Sequence, residues 1–130
     1  MVMKQAPRVL IVEDDPMVSE MLLEQLEQMM YRVVGVAIDG GEAVVMTQSL
    51  RPDVILMDIR LPDINGFDVT KKIREFNSRI PIIAQTAYAM AYDEKEAYRS
   101  GCTDFISKPI KQELLLEKLS TLKESMNHNS

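Results

Sequence analysis

The sequence predicts an α/β fold class in which a five-stranded parallel sheet is doubly wound, with helices on both faces. Five short apolar, β-branched runs indicate strands, and a segment with helical apolar spacing follows each one, which gives the pattern (βα)5. The runs begin about 20 to 27 residues apart, the room that a parallel crossover helix needs. The strands are expected near Arg8–Val12, Arg32–Ala37, Asp53–Asp58, Ile80–Thr86 and Asp104–Ser107.

The third run is the most informative, because Val54-Ile55-Leu56-Met57 leads directly into Asp58. A continuous apolar run suits a strand that is covered on both faces, as in parallel sheets packed between helices. Ligands of such sheets bind at the carboxyl ends of the strands, which is where Asp58 is expected. An Asp also closes many strands simply by bonding to nearby backbone, so this stretch alone does not separate the two interpretations.

Length and composition predict one globular domain over residues 1–130, with a core at about 7–124 and a polar tail at 125–130. The 15 basic residues are scattered among 20 acidic ones, and this balance excludes the basic patch that direct nucleic-acid binding requires. The apolar run Val9–Val12 is too short for a signal peptide or a membrane span, and the single Cys102 excludes an internal disulfide. We expect a cytoplasmic protein that does not insert into membranes.

Local signals indicate where the helices begin and end. Asp15 is suited to be an N-cap with Pro16 at the first helical position, and Gly66 and Gly101 are suited to bound the third and fourth helices. The segment Asp39–Glu42 is interpreted as a turn before a second helix ending near Leu50, and the fifth helix is expected from about Lys111 to Lys123. The apolar face of the first helix is predicted to contain Val18, Met21, Leu22, Leu26 and Met29.

Methionine and cysteine are interpreted as packing residues rather than as functional ones. Met17, Met21, Met29 and Met30 lie in or near the first helix, where Met at helical spacing is usually core filler. Cys102 is interpreted as a small apolar plug for the same reason.

Acidic residues follow the first predicted strand directly, at Glu13, Asp14 and Asp15. In a sheet of strand order 2-1-3-4-5 the first and third strands are neighbours, so that Glu13 and Asp14 converge with Asp58. Carboxylates brought that close repel one another unless a cation neutralises them, which suits a hard ion with oxygen ligands such as Mg²⁺. Asp15 is assigned to helix capping instead.

Two further strands end in groups that can act on an anion. The fourth ends in Gln85-Thr86-Ala87 and the fifth in Ser107-Lys108-Pro109. A Thr in a strand often reflects β-propensity, and most lysines are only solvated, so neither residue is informative alone. A Lys at the mouth of an acidic pocket can nevertheless pair with a carboxylate or a phosphate oxygen. Pro109 also allows a cis peptide bond after Lys108.

Together these motifs resemble those of response regulator receiver domains, the CheY-like family, from Val9 to about Leu122. The resemblance is carried by IVEDDP, LMDIRLPDINGFDVT, IIAQTAY and GCTDFISKPI. It implies a flavodoxin-like fold with strand order 2-1-3-4-5 and makes Asp58 the phosphoacceptor. It also implies a Mg²⁺ site formed by Glu13, Asp14, Asp58 and the backbone carbonyl of Arg60. Thr86 and Lys108 match the pair that senses the phosphoryl group, and Phe105 matches the aromatic switch residue.

The resemblance further implies a phosphoacceptor protein of a two-component system or phosphorelay, and not an enzyme in the usual sense. A histidine kinase or histidine phosphotransfer domain would supply the phosphoryl group, and the surface of the fourth helix, fifth strand and fifth helix would then change for a downstream protein. Tyr88, Met90, Ala91 and Tyr92 are expected near that partner surface. Arg60 and Tyr88 fall where the family controls access of water, which predicts slow autodephosphorylation. The short tail favours a single-domain regulator over the receiver of a hybrid kinase.

Three alternatives are weighed against this interpretation. A flavin carrier of the same fold would need a hydroxyl- and glycine-rich first loop, where this chain has Glu13-Asp14-Asp15. An aspartyl phosphatase would need a second Asp two positions after the nucleophile, where this chain has Arg60. A receiver-like protein that works only by binding partners would be expected to lack some site residues, and here all are present.

Overall fold

The computed structural model describes residues 6–87 and 91–128. Strands and helices alternate strictly along the chain, as the sequence predicts. The strands are β1 Arg8–Val12, β2 Arg32–Ala37, β3 Val54–Asp58, β4 Ile82–Thr86 and β5 Asp104–Ser107. The helices are α1 Pro16–Gln28, α2 Gly40–Leu50, α3 Gly66–Phe76, α4 Ala91–Ser100 and α5 Gln112–His128. None of the described helices is long and apolar enough to cross a membrane.

The five strands form one parallel sheet in the order β2-β1-β3-β4-β5, which confirms the predicted topology. β1 and β3 are hydrogen-bonded neighbours, with Val12 opposite Met57 at the end of the ladder. β3 pairs with β4 so that Asp58 lies opposite Gln85. The carboxyl ends of β1, β3 and β4 therefore meet at one edge of the sheet, and the loops that follow them form the candidate site.

Two apolar clusters cover the two faces of the sheet, because successive residues of a strand point in opposite directions. One face packs against α2, α3 and α4 through residues that include Ala43, Val69, Ile73 and Ala97. The other face packs against α1 and α5 through residues that include Leu22, Leu26, Leu115 and Leu119. All five residues of β3 and all five of β4 are buried, as the unbroken apolar run of β3 predicts.

Helix caps agree with the sequence at α1 and differ at α2. Asp15 caps α1, accepting a hydrogen bond from the backbone N–H of Met17, and Pro16 occupies the first helical position. The expected turn at Asp39–Glu42 is instead the start of α2, where Asp39 is the N-cap and Gly40 begins the helix. The interpretation as a turn was wrong because glycine is read locally as a helix breaker, whereas here the segment leading into α3 and α3 itself leave no room for a Cβ at position 40. A Cβ at position 40 would lie 2.2 Å from the Ile64 side chain.

The methionines of α1 correct a second prediction. Met17 and Met30 are 81% and 79% exposed, and Met21 is 48% exposed, so these residues are not core filler. The buried stripe of α1 is narrower than the apolar pattern, since Ser19, Leu22 and Leu26 face the sheet. Only the packing partners of a helix decide which of its apolar residues are covered. Cys102 is buried as predicted, with its sulfur 3.7 Å from Thr70 Oγ1.

The fifth helix is longer than the sequence predicts. It continues to His128, so residues 125–128, expected to form part of a polar tail, are helical. The polar composition of this segment argued for a tail, yet it contains no Gly or Pro to end a helix that has already formed.

Candidate functional site

Three carboxylates meet at the edge of the sheet where β1 and β3 end. Glu13 and Asp14 follow β1, and Asp58 is the last residue of β3. One oxygen from each of these residues lies within 4.8 Å of the others. Glu13 and Asp58 are 1% and 4% exposed, whereas Asp14 is exposed. The predicted convergence of these acids is therefore present, with two of the three groups shielded from water.

Lys108, in the connection after β5, supplies a positive charge to this cluster. Its Nζ lies 2.7 Å from Glu13 Oε1 and 3.4 Å from Asp58 Oδ1. The backbone N–H of Lys108 donates to the carbonyl oxygen of Thr86 at 2.7 Å, and the peptide bond to Pro109 is cis. Both ends of the lysine are thus held, the backbone by β4 and the ammonium by two carboxylates.

Burial and charge shift the acidity of this pair. Burial raises the pKa of Glu13, and the nearby Asp58 carboxylate adds to the rise, while the hydrogen bond from Lys108 opposes it. Burial lowers the pKa of Lys108, but the hydrogen bond to Glu13 and the charge of Asp58 outweigh that effect and raise it overall. Three carboxylates, those of Glu13, Asp14 and Asp58, are gathered beside the Lys108 ammonium. The cluster therefore favours a further cation.

The β3–α3 connection wraps around the Asp58 carboxylate. The backbone N–H of Arg60 donates to Asp58 Oδ1 at 3.2 Å, and Ile59 N–H donates to the Gln85 carbonyl. The connection closes on itself through a 2.7 Å hydrogen bond from Gly66 N–H to the Ile59 carbonyl. A Cβ at Gly66 would lie 2.3 Å from the Asp58 carbonyl oxygen, so no larger residue fits. The glycine allows α3 to begin directly against the end of β3.

Thr86 and Phe105 lie on the face of the sheet opposite to the one that Gln85 faces. Phe105 is opposite Ala84 in the β4–β5 ladder, and both belong to the cluster beneath α2, α3 and α4. Thr86 is two residues after Ala84 and is 2% exposed. Thr86 and Arg60 line one groove of about 460 Å³ between α3 and α4, together with Asp93 and Glu96. Tyr88 and Met90, which are predicted to lie near the partner surface, are outside the described residues.

Two features of the site have no counterpart in the sequence analysis. The carboxylate of Asp63 accepts hydrogen bonds from Gly40 and Gly41 at the start of α2, 23 and 22 positions earlier in the chain. Gln85, opposite Asp58 in the sheet, is fully buried, and its side-chain amide has no hydrogen-bond partner among the described residues. No local pattern marks either residue, because each feature depends on contacts between separate segments.

Comparisons with known proteins agree with this arrangement. Residues 9–120 match the family described as response regulator receiver domain. The chain is 36% identical over 115 residues to the polar-differentiation response regulator DivK of Brucella anthropi, which covers 87% of this chain and 93% of DivK. It is 34% identical over 118 residues to the DNA-binding dual master transcriptional regulator RpaA of Synechocystis sp., covering 89% of this chain. It spans 48%, about half, of the length of RpaA.

Solved structures show the same likeness. A two-component response regulator from Clostridium difficile superposes with a TM-score of 0.87 at 28% identity, over 93% of this chain and 98% of that chain. A CheY-like response regulator receiver domain protein from Methanospirillum hungatei superposes with a TM-score of 0.85 at 28% identity, over 95% and 98%.

Proposed function

Since the chain belongs to the response regulator receiver domain family, we propose that it accepts a phosphoryl group on Asp58 from a phosphohistidine and passes the signal on by changing shape. Receiver domains are signalling regulators of two-component systems and not conventional enzymes. The observation that carries the proposal is the environment of Asp58. Its carboxylate is buried, contacts Lys108 and lies within 4.8 Å of two further acids.

In the proposed transfer, an Asp58 oxygen attacks the phosphorus of a phosphohistidine on a histidine kinase or phosphotransfer domain. The new O–P bond forms as the P–N bond breaks, and the electron pair of that bond returns to the imidazole. Lys108 is close enough to Asp58 to compensate the charge on the phosphoryl oxygens, and this electrostatic positioning is the main contribution such a site can make. No general base is needed, because Asp58 attacks as a carboxylate.

The acidic cluster fits Mg²⁺, which prefers carboxylate and carbonyl oxygens. Glu13, Asp14 and Asp58 would hold it, together with the backbone carbonyl of Arg60. When bound, Mg²⁺ supplies positive charge to both the Asp58 carboxylate and the phosphoryl oxygens. The convergence of three carboxylates within 4.8 Å of one another supports this assignment, since a cation between them would relieve their repulsion.

A switch would follow the chemistry. An acyl phosphate at Asp58 adds acceptor oxygens that can draw the Thr86 hydroxyl inward, so that Phe105 can turn into the space that Thr86 leaves. Thr86 and Phe105 lie on the same face of neighbouring strands, which supports this coupling to the surface formed by α4, β5 and α5. Thr86→Ala should accept phosphate but lose the phosphorylation-dependent amide shifts of α4 in NMR spectra. Equal shifts in parent and variant would contradict the switch.

The phosphoryl group is proposed to persist for many minutes or longer. Arg60 lies directly beside Asp58, and Tyr88 follows β4; neither side chain is a base that would orient an attacking water. Arg60→Asn combined with Tyr88→Glu should hydrolyse faster, because both new side chains can hold a water molecule. An unchanged hydrolysis rate at saturating Mg²⁺ would contradict this role.

The central experiment is phosphorylation of the purified chain by acetyl phosphate, followed by intact-mass analysis. The parent should gain the mass of one phosphoryl group in the presence of Mg²⁺ and lose this reaction when the metal is chelated. Asp58→Asn should not be labelled. Asp53→Asn is the matched control, because Asp53 immediately precedes the same strand at the opposite edge of the sheet, where its carboxylate accepts from Arg8 N–H. Labelling of Asp58→Asn equal to that of the parent would refute the proposal.

Simple assays of the purified chain separate the remaining alternatives. A flavin carrier would absorb visible light after purification, and an aspartyl phosphatase would release phosphate from simple esters. A receiver that works only by binding partners would not be labelled at all. The proposed partners are a phosphohistidine donor and a downstream protein, and we propose that the domain acts in the cytoplasm.

A further inference from the structure

Asp63 joins the β3–α3 connection to the beginning of α2. Its Oδ1 accepts from the backbone N–H of Gly40 at 2.8 Å and from its neighbour Ile64 at 2.9 Å. Its Oδ2 accepts from Gly41 N–H at 3.1 Å. Both oxygens of this carboxylate are therefore engaged by backbone donors from two segments that are distant in sequence.

Two aspartates from different segments accept hydrogen bonds from the backbone N–H groups at the start of α2. Asp39, the residue that precedes the helix, accepts from Glu42 N–H at 2.8 Å. Asp63 accepts from the two N–H groups before that one, at Gly40 and Gly41. The first N–H groups of a helix have no partner within the helix, so both aspartates satisfy donors of α2. Asp63 differs in that it also ties the helix to the loop beside the phosphoacceptor.

Close packing makes this contact specific. Gly40 is buried, and a Cβ there would lie 2.7 Å from the Val69 side chain and 2.2 Å from that of Ile64. The absence of a side chain at position 40 thus brings the backbone of α2 close to the connection that carries Asp63. The contact fixes the middle of a loop whose two ends are held elsewhere.

The remaining anchors of this loop lie at its ends. Ile59 N–H bonds to the Gln85 carbonyl, and Gly66 N–H bonds back to the Ile59 carbonyl. Asn65 caps α3 by accepting from Phe67 and Asp68 N–H. Between these points, Asp63 is the anchor that reaches across to α2, and Arg60 lies on the stretch that it restrains.

We propose that Asp63 is a positioning residue, which holds the β3–α3 connection so that the Arg60 carbonyl faces the acidic cluster and completes the Mg²⁺ site. The role rests on the proposed function, because the Arg60 carbonyl matters only if the cluster binds the metal. A residue that orients a metal ligand typically changes metal affinity tenfold or more when it is removed.

The experiment compares Asp63→Ala with Asp39→Ala in the full chain, in the absence of any phosphodonor. Both variants remove one carboxylate that accepts hydrogen bonds at the start of α2, so they match in charge and both weaken the cap of that helix. Mg²⁺ titration by calorimetry should show roughly tenfold weaker binding for Asp63→Ala. Asp39→Ala should remain within about twofold of the parent, since its hydrogen bond does not reach the loop. Asp63→Asn should bind Mg²⁺ more tightly than Asp63→Ala, because it keeps one acceptor oxygen.

Hydrogen exchange gives a readout that does not depend on the metal. Asp63→Ala should speed amide exchange in residues 59–65 as well as at the start of α2, whereas Asp39→Ala should affect only the start of α2. Equal Mg²⁺ affinities in the two alanine variants would overturn the role of Asp63 while leaving the proposed function intact. A parent chain that bound no Mg²⁺ would overturn both. If Asp63→Ala does not fold, Asp63→Asn against Asp39→Asn makes the same comparison.

Discussion

Two groups of carboxylates lie at the same edge of the sheet and have opposite environments. Around the end of β3, Glu13, Asp14 and Asp58 crowd together beside one ammonium, and the pKa of Glu13 is raised by burial and by the neighbouring acid. At the start of α2, Asp39 and Asp63 face backbone N–H groups. The hydrogen bond from Gly40 is the main cause of a lowered pKa at Asp63, despite partial desolvation.

The two groups differ in whether a carboxylate is surrounded mainly by other carboxylates or mainly by backbone donors. A carboxylate whose oxygens accept from backbone N–H groups is stabilised in its charged form and contributes to the structure. A carboxylate that is buried beside other carboxylates is destabilised in its charged form unless a cation binds next to it. The opposite pKa shifts of Glu13 and Asp63 show this contrast, which the residue type alone does not reveal.

The largest expected effect on the phosphorylation rate comes from removing Lys108, the ammonium beside the first group of carboxylates. Lys108→Ala should slow phosphorylation by acetyl phosphate roughly 100-fold, because the charge that faces Asp58 is lost. Lys118→Ala is the matched control, since Lys118 pairs with Asp104 at 2.8 Å and is 22% exposed, against 21% for Lys108. The rate is measured by intact-mass sampling over time. Similar rates for the two variants would mean that Lys108 has no special role.

Mg²⁺ should stabilise the folded chain by binding to Glu13, Asp14 and Asp58, and not to the carboxylates at the start of α2. At a Mg²⁺ concentration about 100-fold above the dissociation constant, the free energy of unfolding should rise by about 2.7 kcal/mol, as binding to the folded state requires. Asp14→Asn should remove most of this gain, whereas Asp39→Asn should keep it. Urea denaturation with and without Mg²⁺ measures the difference. A gain that survived in Asp14→Asn would place the metal elsewhere.

Without metal, neutralising the buried acid should stabilise the protein. Glu13→Gln should raise the free energy of unfolding at neutral pH, because burial disfavours the charged form of Glu13. The pKa of Glu13 in the folded chain is above its ordinary value of 4.5, so the advantage of the variant should grow as the pH rises from 4.5 through the folded pKa and then level off. Destabilisation by this substitution would show that the Lys108 ion pair outweighs burial.

The smallest effect is expected for the solvent-exposed carboxylate of the second group, and it has the opposite sign. Asp63→Asn should lower stability at neutral pH, since the pKa of Asp63 is held below its ordinary value of 3.8 by the N–H of Gly40. Its contribution is present above pH 3.8 and is lost as the pH falls through the lower, folded pKa. The gap between parent and variant in urea midpoint should therefore narrow on acidification. A gap that widened would contradict the assignment.

The sequence alone predicts the features that depend on neighbouring residues, namely the strands and the helix starts. Short apolar, β-branched runs predict the strands, and the observed β4 starts at Ile82 rather than Ile80 because Pro81 has no N–H to donate to the ladder. The Asp15 cap of α1 and the glycine at the start of α3 are likewise readable from neighbouring residues. Because the strands are parallel, their carboxyl ends share one edge, and the adjacency of β1 and β3 then brings Glu13, Asp14 and Asp58 together.

Only the tertiary structure decides how those groups pair. The ammonium of Lys108 lies nearer to Glu13 than to Asp58, across 95 positions of the chain, and the relative placement of β1, β3 and β5 sets that choice. The exposure of Met21 and the contact of Asp63 with α2 have the same origin, since each depends on how two separately folded segments pack. Hydrophobic periodicity and capping act over a few residues, whereas ion pairs and loop anchors join residues that are distant in sequence, so no local pattern encodes them.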